Sequence, residues 1–201
     1  MKKILVILTC LGILISFRVA GATIIDFDAL APGTLVNTIE GVTFASSVNA
    51  IGLDLVVSTG FNTTSGSNYL GVNDGGFEVF FPGDVVSLSF AVPITSLTVD
   101  FISSPVTPGE VFSIDTVSGS SISAAAPASV LLDGGEVYSV SFSSPTPFSS
   151  AQLMSFDTGD IYSYNIDTIE FFPVPEPSTL LLLCSGLSSF VIFVRGRGKS
   201  S

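Results

Sequence analysis

A period of two governs this chain. In VVSLSFAV at 85–92, Val86, Leu88, Phe90 and Val92 fall on one side and serine and alanine lie between them. SLTVDFI at 96–102 does the same with Leu97, Val99 and Phe101. Successive side chains of a strand point to opposite faces, so such runs fold as half-buried strands. Eight more runs of this kind follow: 23–28, 41–46, 53–58, 77–81, 111–117, 137–143, 151–157 and 166–172. Turn-forming Gly, Pro and Asp gather between them, as in LAPGT at 30–34, NDGG at 73–76 and PGD at 82–84. SGSSIS at 118–123 reads as a loop or an edge strand. No helical period occurs between Thr23 and Pro173. Short strands at this spacing predict an all-β fold, a single β-sandwich of the jelly-roll kind over 23–172. Apolar residues make up 47% of the chain, enough for a core.

The two ends differ from this body. Lys2 and Lys3 precede an apolar run from Ile4 to Phe17, and Ala20-x-Ala22 supplies the small residues a signal peptidase reads. A signal peptide over 1–22 is expected. At the other end, Pro173, Pro175 and Pro177 exclude strand pairing and helix continuation over a linker at 173–179. Leu180 to Val194 follows as an apolar segment expected to form a transmembrane helix, about 22 Å long and short of the roughly 30 Å hydrocarbon core. Arg195, Arg197 and Lys199 lie in the tail at 195–201, cytoplasmic by the positive-inside rule.

Charge follows the same division. All six basic residues lie at the ends, and neither Lys, Arg nor His occurs between Thr23 and Val194. All 17 acids lie in that interval, for a formal net charge of −11. Phosphates need cationic partners, so nucleic acid is excluded as a ligand. Cations fit better. The lack of His removes Ser-His-Asp, Cys-His and His-bearing zinc chemistry. The lack of Lys and Arg in the body removes Schiff bases and phosphate clamps. Cys10 and Cys184 both fall in the apolar end segments, so no disulfide staples the body.

VPEPST at 174–179, then a short apolar run, then an Arg-rich ending, resembles the PEP-CTERM sorting signal. The resemblance implies a protein exported by a Gram-negative bacterium, held briefly in the inner membrane and processed by an exosortase that reads Pro175, Glu176 and Pro177. It implies a final place at the cell surface or in the extracellular matrix. IDFDALAPGTLVNTIEGVTFAS near the start and YNIDTIEFF near the end resemble extracellular modules similar in outline to galactose-binding-like jelly rolls. In those folds the first and last strands meet, and a structural calcium lies nearby. On that resemblance Asp26 or Asp28 approaches Asp167 and a weak calcium site is expected there, with carboxylate and carbonyl ligands of the sort calcium favours; diffuse screening of the acids by any salt is the alternative.

A structural or adhesive role in the extracellular polymer layer is the function expected, without catalysis. The alternative is a carbohydrate-binding module. Its candidate surface is DIYSYNID at 160–167, where Tyr162 and Tyr164 share one face beside Asp160 and Asn165 and offer aromatic platforms and polar groups to a polysaccharide. Covering the core edge is the favoured reading of the same tyrosines, because most strand aromatics pack rather than bind. A glycoside hydrolase is the remaining alternative, with Asp157, Asp160 and Asp167 as its carboxylates. Turn and strand-end positions account for these acids as well.

Overall fold

The structure is a computed structural model. It describes residues 21–48, 52–60, 63–75, 78–103, 111–122, 127–131, 135–156 and 162–174. Residues 1–20 of the expected signal peptide, the Pro175-Glu176-Pro177 motif, the apolar segment and the basic tail lie outside the described residues, as do Asp157 and Asp160. Residues 20–173 form one compact unit. Eleven strands make a single sheet, and no α-helix occurs among the described residues. No described helix is long and apolar enough to cross a membrane.

The strands are β1 (Thr23–Ile25), β2 (Thr38–Ile39), β3 (Val42–Ser46), β4 (Leu55–Thr59), β5 (Asn68–Val72) and β6 (Val85–Ser103). They continue with β7 (Val111–Thr116), β8 (Gly119–Ile122), β9 (Ser129–Val130), β10 (Glu136–Phe156) and β11 (Tyr164–Pro173). The main path through the sheet runs β4-β5-β11-β6-β10-β7-β8. Every pairing is antiparallel.

Two very long strands explain how one sheet encloses a core. β6 has 19 residues and β10 has 21. The runs at 85–92 and 96–102 are halves of one strand, and so are those at 137–143 and 151–157. Ser143 pairs with Ser96 and Ser150 with Ser89, and the ladder is irregular between. Pro93 sits there on β6, and Pro145 and Pro147 on β10. Proline has no N–H to give a ladder, so pairing loosens and both strands turn a corner at the same level. On one side of the corner β6 pairs with β3. On the other side it pairs with β11.

The two halves therefore face each other as sandwich-like layers, and aromatic rings join them. Phe112 on β7 stacks on Phe101 of β6 with centroids 4.8 Å apart. It also meets Tyr138 at 5.2 Å and Tyr164 at 5.2 Å. Phe90 from one half meets Phe171 from the other at 5.2 Å. The alternation read from sequence is borne out in the core: Val86, Leu88, Phe90, Leu97, Val99 and Phe101 are all buried. Val92 is not. It falls at the corner and is exposed.

The turns follow residue chemistry. Between β2 and β3 the two loop residues Glu40 and Gly41 both have positive φ, 48° and 78°, the pairing of a type I′ hairpin. β5 was not legible as a strand because all five of its residues are buried and no alternation marks it. One face of it is covered by the chain at Glu78. A Cβ on Gly71 would collide with the Glu78 carbonyl oxygen, so only glycine fits there.

Candidate functional site

The first and last strands are neighbours. Thr23 pairs with Phe171 and Ile25 with Ile169. Beyond Ile25 the chain leaves the sheet through Phe27, whose φ is +61°. That left-handed turn sends the Phe27 ring into the core against Phe44, 6.2 Å away. The Asp28 N–H donates to Asp26 Oδ1 at 3.2 Å, a local Asx turn.

β11 carries a bulge at the same level. Ile166 pairs with Phe101 and Ile169 with Val99, so Asp167 and Thr168 together oppose Asp100. The extra residue lets Ile166 and Ile169 both enter the core although three positions apart. Asp167 then points away from the core and lies under the loop TTSGS at 63–67. It is 0% exposed.

That loop closes over Asp167 with four donors. Thr64 Oγ1 donates to Asp167 Oδ2 at 2.7 Å, and the Thr64 N–H donates to the same oxygen. The Ser65 N–H donates to Oδ2 at 2.7 Å, and Ser65 Oγ to Oδ1 at 2.8 Å. Asp28 holds the next part of the loop. Its Oδ1 accepts the N–H of Ser67 at 2.8 Å and of Asn68 at 3.1 Å. The Asp28 carboxylate lies against Gly66, where a Cβ would overlap it. Burial pushes the Asp167 carboxyl above the usual carboxylate range, and the Thr64 and Ser65 hydrogen bonds partly oppose that rise.

Asp26, Asp28 and Asp167 are thus gathered around one loop, where their carboxylates accept hydrogen bonds. Both oxygens of Asp167 face N–H or O–H groups, and Asp28 and Asp26 accept backbone N–H groups. Among the described residues no three acidic, His or Cys side chains are placed to hold a metal. The arrangement fastens a loop to a bulge. Three of its four donors converge on Asp167 Oδ2 and one on Oδ1.

The tyrosine surface is corrected by burial. Tyr162 donates its hydroxyl to the Phe156 carbonyl at 2.8 Å, and Tyr164 donates to the Asp84 carbonyl at 3.2 Å. Tyr164 stacks on Phe80 at 5.4 Å, and burial raises its phenol well above the ordinary range. Asn165 is buried as well. Tyr162 and Tyr164 do share a face, and it is the core face. Neither ring is open to a sugar, and Asp160 lies outside the described residues. The Thr64–Ser65 clamp was not singled out in the sequence. Its signal was a run of small hydroxyl residues around a glycine, which reads there as an ordinary loop.

Residues 173–197 match the family model of the PEP-CTERM protein-sorting motif. The match begins on Pro173, the last residue of β11. No curated protein matches the chain. The match supports a C-terminally sorted, exported protein of a Gram-negative bacterium, associated with the membrane before an exosortase processes it.

Proposed function

We propose that this chain is a non-catalytic protein of the cell surface or extracellular matrix, with a structural or adhesive role in the polymer layer. The observation that carries this reading is the sorting match from 173 onward, joined directly to a folded all-β body. The body suits that place. It has no cations with which to bind nucleic acid or phosphate. The pairing of β1 with β11 supports the likeness to galactose-binding-like jelly rolls. The one described acid among the hydrolase candidates, Asp167, is occupied by four donors.

Cell fractionation with intact-mass measurement tests the reading. The mature body is expected at the surface or in the matrix, shortened at its C-terminus. Glu176→Ala is expected to leave an unprocessed, membrane-bound species. Normal maturation and localisation of that variant would show that Pro175-Glu176-Pro177 is not being read.

A further inference from the structure

An open groove of about 420 Å³ lies on the outer face of the layer built from β6, β10 and β7, opposite the core. Pairing sets its polar groups in rows. Ser87 of β6 lies beside Gln152 of β10, which lies beside Asp115 of β7. Ser89 lies beside Ser150 in the next row. Strands stand about 4.8 Å apart, so the first row presents hydrogen-bonding groups over roughly 10 Å. Ser89, Ser150 and Gln152 are exposed, and Ser87 and Asp115 half-buried. None of these five side chains makes a hydrogen bond among the described residues. Val117, at 85% exposure, adds an aliphatic wall.

We propose that this groove binds a neutral polysaccharide. The proposal rests on the extracellular reading above and names the ligand class and the surface. Serine hydroxyls and the Gln152 amide both donate and accept, and the Asp115 carboxylate accepts from adjacent sugar hydroxyls. A mixed set of this kind matches a ligand made of hydroxyl groups. An anionic chain is disfavoured, because no cation occurs between Thr23 and Val194 to offset its charge. An extended peptide would seek a strand edge for main-chain pairing, whereas this is a sheet face. The groups stand on paired strands, so little ordering is required when a ligand arrives.

Native affinity electrophoresis of the exported, processed protein tests the groove. Gels contain hydroxyethylcellulose, laminarin or dextran, with alginate as the anionic comparison. At least one neutral glucan is expected to retard the protein, and alginate is not. Gln152→Ala and Ser150→Phe are each expected to weaken that retardation about tenfold. Ser141→Ala, on the outer face of the other half of β10, is expected to leave it unchanged. Melting curves establish that each variant is folded, and if Ser150→Phe is not, Gln152→Ala alone decides. No retardation by any neutral glucan, retardation by alginate alone, or retardation indifferent to the groove variants overturns the proposal. Fractionation separates this from failure of the wider reading. A wild-type protein found in the matrix but blind to all three glucans rejects the groove only. A wild-type protein absent from both surface and matrix rejects the reading itself.

Discussion

Phe112 is the place to test whether the two halves of the folded sheet hold each other. Its ring is fully buried and has four aromatic neighbours: Phe101, Tyr138, Tyr162 and Tyr164. Phe101, Tyr138 and Tyr164 come from strands of the opposite half. Truncating a buried Phe to Ala costs about 3–5 kcal/mol, the lost transfer energy plus the cavity. Close ring pairs add about 0.5–1.5 kcal/mol each beyond area. Phe112→Ala should therefore lie near the upper end, about 4–5 kcal/mol. Phe90→Ala, with one ring partner in Phe171, should cost about 3 kcal/mol. A domain of this size loses about 2–4 °C of melting temperature per kcal/mol, so Phe112→Ala should melt roughly 8–20 °C lower. Urea titration followed by near-ultraviolet circular dichroism reads this directly. The chain has no Trp, and three of its four tyrosines surround Phe112. A double-mutant cycle with Phe101 should return a coupling of about 0.5–1.5 kcal/mol. Val117→Ala, on the exposed outer face, should stay within about 0.5 kcal/mol of wild type. A loss below about 1 kcal/mol for Phe112→Ala, or no coupling to Phe101, would refute the packing of one half on the other.

Other expectations concern single sites. Gly71→Ala forces a methyl group against the Glu78 carbonyl and should destabilise by about 1–3 kcal/mol, measured by the same titration. The raised carboxyl of Asp167 means that the folded state holds this proton to higher pH than the unfolded state does. Its contribution to stability is full below the ordinary carboxylate range and is lost as pH rises through the folded-state value. Melting temperature should fall over that interval, and Asp167→Asn should flatten the part of the slope that belongs to this group. An identical slope in the variant would place the effect in the other acids. Calcium and magnesium at equal ionic strength should raise the melting temperature equally. A gain selective for calcium and lost in Asp167→Asn would establish a metal site at Asp167.

Strand content was legible in the sequence because antiparallel strands with one face in the core leave a pattern of period two. Val86, Leu88, Phe90, Leu97, Val99 and Phe101 all went where that pattern sent them. The joining of two runs into β6, and of two into β10, was not legible. Pro93, Pro145 and Pro147 look like breaks between strands, and only the partner strands reveal them as corners within one. β5 left no pattern because both of its faces are covered. Tyr162 and Tyr164 stood correctly on one face, but a period of two does not say whether that face looks inward. The approach of Asp26 and Asp28 to Asp167 followed from likeness to a known fold. The occupation of Asp167 by Thr64 and Ser65 could not follow, because it depends on a loop a hundred residues away in sequence closing over a bulge.

The absence of cations from the body changes what its carboxylates do. Elsewhere such groups are offset by Lys and Arg. Here several of the described acids turn to backbone N–H groups: Asp84 accepts from Phe81 at 2.8 Å, Asp74 from Glu78 at 3.1 Å, Asp28 from Ser67, and Asp167 from Ser65. Each bond pins a turn or loop, and a charged acceptor makes it stronger than a neutral one. These fasteners need no oppositely charged side chain and are not lost when salt screens the surface. What salt does relieve is repulsion among the acids, which opposes the compact state. A body built this way gains stability as ionic strength rises. That sign suits a protein exported to surroundings whose salt the cell does not control, and it is opposite to that of a fold that depends on surface ion pairs.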